Sequence, residues 1–271
     1  MKIFFRMSDP CSFTNSDKFR TESIHFDWLI NFESQCIEGT AALKCSVSNP
    51  TKLFILDTRF LDIKSVEVAN QKAAFELGDF HPAKGQALTI TAPSEVPNGE
   101  VTISITYATT SKCTALQWLR PAQTCGGEHP YLFSQCQAIH ARSLFPCQDS
   151  PGIKIKYTAA VTVKDPLVAL MSANLQHDKT ESGLFSVFQL LGSDWSILAN
   201  GNKTYHFIQH VPMSTYLVAI ASGALTSREI GPRSRVWCEK EMIDASAYEF
   251  AETEDYIKAG VENSFFLPKC H

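Results

Sequence analysis

Ser23-Ile24-His25-Phe26-Asp27-Trp28-Leu29-Ile30-Asn31-Phe32-Glu33 sets the architecture of this chain, because Ile24, Phe26, Trp28, Ile30 and Phe32 fall at every second position. Successive side chains of an extended backbone point to opposite faces, so the stretch makes one apolar face and one polar face. It is expected to be a half-buried β-strand. Residues 37–47 repeat the pattern at Ala41, Leu43, Cys45 and Val47, and Asn49-Pro50 supplies a turn. Leu53–Leu56, Ile63–Val68, Ala73–Leu77, Ala87–Thr91 and Val101–Tyr107 follow, short, rich in β-branched or aromatic residues, and separated by Gly, Pro, Asn and Asp. This spacing predicts a mainly β fold, either a sandwich or a curved antiparallel sheet.

Alternation resumes in Ile153–Lys164, and Val168–Ser172, Tyr205–His210 and Tyr216–Ala221 extend the β-rich block to about Leu225. Residues 176–202 mix Asp, Ser, Gly and Asn around the apolar run Leu184–Leu191 and read as an insertion. Beyond Arg233 the character changes. Val236-Trp237-Cys238 reads as a strand, and Asp244 is placed to cap a helix running through Ala247, Phe250, Ala251 and Ile257 to Gly260. Residues 1–225 are therefore expected to form a β domain, and residues 226–271 the incomplete start of an α-containing domain.

Composition narrows the function. The 271 residues are 19% charged and 44% apolar with a formal charge of −4, values of an ordinary globular protein. Lysines and arginines form no tract or stripe, so nucleic acid is excluded as a partner. No window reaches the roughly 18 apolar residues of a membrane span, and Ile3-Phe4-Phe5 is too short for a signal-peptide core. Nine cysteines without a C-x-x-C pair argue against a disulfide framework and fit a reducing cytoplasmic setting. In that setting the Asn202-Lys203-Thr204 sequon stays silent.

One segment lacks any period: His129–Pro151, reading HPYLFSQCQAIHARSLFPCQDSP. It is expected to be a shaped surface rather than core. Gln135 and Gln137 share a side-chain direction if the backbone is extended, which aims both amides at one cleft. The other reading has both amides satisfying backbone groups of a long loop. Amides suit recognition of neutral polar groups, not acid–base chemistry. Elsewhere, His206 and His210 lie four apart in a segment that reads as strand, and no histidine is followed by glutamate, so the zinc-binding H-E-x-x-H pattern is missing. Cys136 near His140, and Cys147 near Asp149, are expected to be buried, inert thiols. No nucleophile elbow, phosphate loop or dinucleotide fingerprint occurs.

Ala115-Leu116-Gln117-Trp118-Leu119, His129 to Gln137, and Phe145-Pro146-Cys147-Gln148-Asp149-Ser150-Pro151 resemble the amino-terminal part of the leukotriene A-4 hydrolase and zinc aminopeptidase (gluzincin) family. Gly39–Leu43, Leu56-Asp57-Thr58, Val168–Ser172, Ile230–Arg233 and Ser246–Phe250 extend the likeness over nearly the whole chain, apart from residues 176–202. The resemblance implies a saddle-like antiparallel β domain followed by the truncated start of an α/β thermolysin-like catalytic domain. It implies peptide or fatty-acid epoxide substrates, with the loop at Gln135, Gln137 and Ala138 contacting them. Many relatives carry glutamate at the position of Gln137; glutamine matches the leukotriene hydrolase and aminopeptidase B branch. The family's zinc ligands and catalytic residues match nothing in this sequence, so no catalytic or metal residue is assigned and zinc belongs to the full-length family. Three readings follow: an inactive substrate-side fragment, a non-catalytic binding or regulatory module engaging a full-length family subunit or peptide, or an incomplete gene model of an active aminopeptidase.

Overall fold

The computed structural model describes residues 9–176 and 201–263. The chain runs through β1 (Phe19–Asn31), β2 (Cys36–Val47), β3 (Thr51–Thr58), β4 (Leu61–Val68), β5 (Gln71–Lys72), β6 (Ala74–Leu77), β7 (Gln86–Val96) and β8 (Gly99–Thr109). Then come β9 (Leu116–Leu119), β10 (Tyr131–Ser134), the short helix α1 (Ala141–Leu144), β11 (Lys154–Lys164), β12 (Val168–Met171) and β13 (Asn174–Leu175). After residue 200 follow β14 (Asn202–Ser214), β15 (Ile220–Gly223), β16 (Leu225–Gly231), β17 (Ser234–Glu239), α2 (Ile243–Glu249) and α3 (Thr253–Asn263).

The fold is mainly β, as the alternation predicts. An eight-stranded sheet is ordered β13-β14-β11-β1-β2-β8-β4-β5, a three-stranded sheet β3-β7-β6 and a four-stranded sheet β12-β15-β10-β9, with β16–β17 a separate hairpin. In the large sheet β1 pairs β2 antiparallel and β11 parallel. Asn31 starts the β1–β2 turn by accepting the backbone N–H groups of Glu33 and Ser34 at 3.0 Å each, the local bond that makes Asn a turn residue. Gly39 is dictated by close packing, since a Cβ there would lie 1.8 Å from the Asp27 carbonyl oxygen.

Two compact units emerge. The first comprises residues up to Trp118 with Leu132–Asp165 and Ala169–Ala221. Its core is the face predicted from the alternation: Ile24, Phe26, Trp28 and Ile30 of β1 are buried, with Phe54 and Leu56 of β3 and Leu88 and Ile90 of β7. Aromatic contacts tie the layers, Phe19 to Phe54 at 5.0 Å and Phe26 to Phe145 at 4.8 Å between ring centroids. Trp28 satisfies its buried Nε1–H by donating to the Tyr107 hydroxyl at 2.9 Å. The second unit comprises Leu119–Tyr131, Pro166–Val168 and the chain from Ser222 onward. Its frame is the β16–β17 hairpin with Val236 and Ile243 buried, and Ser234 and Arg233 donate to the Glu254 carboxylate of α3.

Two local expectations need correction. Tyr216 and Leu217 belong to a single 3-10 turn, Thr215–Leu217, with Leu217 49% exposed, and the strand starts only at Ile220. The single helix capped by Asp244 is two helices, and Asp244 is not its N-cap but a first-turn residue of α2. The chain turns at Phe250–Glu252, where Thr253 Oγ1 donates to the Phe250 carbonyl at 2.6 Å, and α3 restarts with acidic Glu254 and Asp255 in its first turn. The expected insertion, apart from its ends, lies outside the described residues.

Candidate functional site

The segment from Ser134 to Asp149 is a turn mounted on a buried polar support. The support contradicts the expectation of a shaped surface: Ala141, Arg142, Ser143, Leu144, Phe145, Cys147, Gln148 and Asp149 are all buried. What makes this tolerable is complete pairing. Arg142 Nε donates to Asp149 Oδ2 at 2.9 Å, its Nη1 donates to the carbonyls of Cys11 (2.9 Å) and Lys84 (2.7 Å), and its Nη2 donates to the Asp149 carbonyl at 3.1 Å. Asp57 Oδ2, 3.7 Å from Arg142 Nη2, accepts from Ser12 Oγ and the Asp149 N–H, while its Oδ1 accepts the Phe13 N–H. Thr215 Oγ1 donates to Asp149 Oδ1 at 2.8 Å.

Burial pushes the Asp57 carboxyl up, and the Arg142 guanidinium with the donors from Phe13, Ser12 and Asp149 pulls it back. The neighbouring Gln148 amide bridges β1, accepting the Thr21 N–H at 2.8 Å and donating to the Phe19 carbonyl at 3.1 Å. The Phe145 ring fills the aromatic core beside Phe26. Backbone bonds between Asp57 and Cys147 and from Arg59 to Arg142 stitch the segment to β3 and the residue after it.

On this support the turn is held at both ends. The Gln135 N–H donates to the Ala115 carbonyl at 2.8 Å, and the His140 N–H to the Cys136 carbonyl at 2.8 Å. Ser134 Oγ accepts the Ile220 N–H at 2.9 Å. Cys136 is buried beneath the turn, and Gln135, Gln137 and Ala138 are exposed above it. The Gln137–Ala138 peptide is cis.

The two glutamines are not equivalent. Gln135 Oε1 accepts the Gln137 N–H at 2.9 Å, so part of its amide is spent on the backbone. The Gln137 side chain has no partner among the described residues and presents both its donor and its acceptor to solvent. The structure places Gln135, Gln137 and Ala138 exposed on one turn, with only Gln137 keeping its side-chain amide clear of the backbone.

Burial pushes the Cys136 and Cys147 thiols well above the ordinary range, which leaves them poor nucleophiles. His140 Nδ1 is engaged with Thr114 Oγ1 at 2.7 Å. His206 and His210 lie on β14, as strand. Arg142 and Asp149 gave no sign of a supporting role in the sequence; the only local signal is an arginine and an aspartate flanking the apolar Leu144–Cys147. The arrangement can bind and position a ligand through its exposed amide.

Residues 22–217 match the family described as the peptidase M1 N-terminal domain, and the chain belongs to that family. It is similar to the leukotriene A-4 hydrolase of Xenopus laevis, 42% identical over 93% of this chain and 39% of that protein. The leucine aminopeptidase 2 of Phaeosphaeria nodorum is 39% identical over the same shares. The solved structure of yeast LTA4 hydrolase in complex with bestatin superposes with a TM-score of 0.81 at 32% identity, covering 97% of this chain and 38% of that one.

The chain therefore spans about 39% of the length of the curated relatives it matches, and the part it matches is the family's amino-terminal domain. Zinc belongs to full-length relatives. The residues present here do not fit it: among the described residues no group of three or more His, Cys, Asp or Glu is placed to hold a metal. No described helix is long and apolar enough to cross a membrane.

Proposed function

We propose that this chain is the substrate-side domain of a zinc aminopeptidase and epoxide hydrolase, inactive on its own, whose Gln135–Ala138 turn contacts a peptide or a fatty-acid epoxide. The observation that carries the reading is the exposed, unpartnered Gln137 amide on a turn whose foundation is buried and fully hydrogen-bonded. Such a turn holds its recognition group in one place, which lowers the ordering cost of binding. The amide carbonyl suits the N–H donors of a peptide's amino end, and its NH2 suits a carbonyl or epoxide oxygen. Residues 1–225 form the amino-terminal domain in this reading, residues 226–271 the start of the catalytic one, and the setting is cytoplasmic, in keeping with eight described cysteines that are all free.

Purified chain assayed for bound zinc and for aminoacyl-amide hydrolysis is expected to show neither. Stoichiometric zinc with turnover defeats the proposal. A second reading, a module that engages a full-length family subunit, is favoured by the exposed aromatics Tyr248, Phe250 and Tyr256 on and after α2 and on α3. A size-exclusion shift on mixing with such a subunit supports it, and unchanged elution of both proteins counts against it.

A further inference from the structure

The solvent side of the eight-stranded sheet carries a hollow of about 350 Å3. It lies where the register breaks twice in one row. Glu22 is an extra residue of β1 between Thr21, opposite Cys45, and Ser23, opposite Lys44. Two strands across, β14 carries extra residues between Gln209, opposite Tyr157, and Met213, opposite Ile155. A bulge bends its strand and increases the local twist, and two of them in one row roll a sheet surface into a concavity.

The strand pairings place Thr102, Lys44, Ser23 and Lys156 side by side along that row, with His210 in the β14 bulge at its end. The adjoining row runs through Ala42, His25 and Thr158. Small Ser23 and Ala42 keep the floor low. Lys44 and Lys156 stand two strand spacings apart, roughly 10 Å between Cα atoms, so both ammonium groups can reach one ligand above Ser23.

The lining is cationic. Two lysines and two histidines border the hollow, and among the described residues no Asp or Glu does. The side chains of Lys156 and His210 have no partner among the described residues. Lys44 meets Glu100 at 2.9 Å, but both side chains are exposed and such a pair opens at little cost. His25 Nδ1 lies 2.7 Å from Thr158 Oγ1, a contact that orients the ring. Burial and the like charge of His206, beyond Ala160 in the next row, hold His25 below its ordinary pKa, so it faces the hollow chiefly as a neutral N–H donor. Of the carboxyls around the hollow, Glu22 accepts from Ser46 and Asp27 lies one row further along β1, where burial pushes its pKa up to about 7 and leaves it only partly charged at neutral pH.

We propose that this hollow binds the phosphate group of a small phosphate monoester. Point-like ammonium groups and imidazole N–H donors arriving from β1, β2, β11 and β14, with the hydroxyls of Ser23 and Thr102 below, surround a tetrahedral dianion better than a flat carboxylate. Lysine binds phosphate as a point charge without the planar fork that carboxylates favour.

The test is an NMR titration of the whole 271-residue chain with inorganic phosphate and with glycerol phosphate, against potassium chloride at matched ionic strength. Saturable shifts are expected at His25, Lys156, Thr158 and His210 with both phosphates and not with chloride. Lys156→Glu should weaken binding about tenfold or more while leaving the remaining spectrum folded. Lys72→Glu, which reverses the same charge on the edge strand β5, should leave it nearly unchanged. Equal shifts with chloride, a linear response without saturation, or equal weakening by the two substitutions each overturn the proposal.

Discussion

Two segments invert the usual rule of burial in opposite directions. Ala141–Asp149 buries an arginine, an aspartate and a glutamine, whereas Ile243–Asn263 leaves Tyr248 and Tyr256 85% and 71% exposed and buries only Ile243 and Glu254 among its described side chains. The first works because every charge has partners from several directions; the second works because an exposed ring costs little where nothing polar is stranded. Stability in this protein is therefore expected to be sensitive to removal of a polar atom at one segment and insensitive to removal of an apolar ring at the other.

The largest effect is expected at Arg142. Arg142→Ala strands the Asp57 and Asp149 carboxylates in the interior and should cost about 3–5 kcal/mol in urea unfolding. A loss below 1 kcal/mol means that water or another cation replaces the guanidinium, and the contrast between the segments collapses.

Asp27 sharpens the comparison, being a buried carboxyl for which burial alone is the cause of its raised pKa of about 7. Because the folded state holds this proton more tightly than the unfolded one, its contribution is intact in acid and is lost as pH rises from 3.8 through about 7. Asp27→Asn should therefore stabilise the protein on the order of 2–4 kcal/mol at alkaline pH and by almost nothing in acid. A stability gain independent of pH contradicts the assignment.

Thr215→Val keeps the side-chain shape and removes the donor to Asp149 Oδ1. It should cost about 1–3 kcal/mol, measured as a lower urea midpoint at unchanged slope. The smallest effects belong to the helices: Tyr248→Ser and Tyr256→Ser should stay within about 0.5 kcal/mol. Amides of α3 should exchange faster than those of β1 in hydrogen exchange, and equal protection there reveals a cover over the exposed rings.

The same contrast explains what could be read from the chain directly. Ile24, Phe26, Trp28 and Ile30 announced the core face of β1, because a period of two is a property of consecutive residues and needs no distant partner. The restart of the last helix was also written locally, in Thr253 followed by Glu254 and Asp255, but Asp244 offered a competing start and masked it. The aperiodic run from His129 to Pro151 signalled burial only at its thiols, Cys136 and Cys147, and not at Arg142, Gln148 or Asp149. Its partners, Cys11, Asp57, Lys84 and Thr215, come from parts of the chain far apart in sequence.

At the candidate site the sequence singles out Gln135, Gln137 and Ala138 as candidates without distinguishing the two amides. Which amide is spent on the backbone depends on the turn, and the turn depends on the packing of Cys136 and the anchorage of Gln135 on Ala115.

Consecutive residues alone make this a β-rich protein with its apolar faces set strand by strand, since side-chain direction alternates with every peptide unit. The burial of an arginine and two aspartates behind an exposed glutamine follows only from the folded arrangement. A buried charge is stable only once its counter-charge and hydrogen-bond donors converge on it, and no local pattern records that convergence.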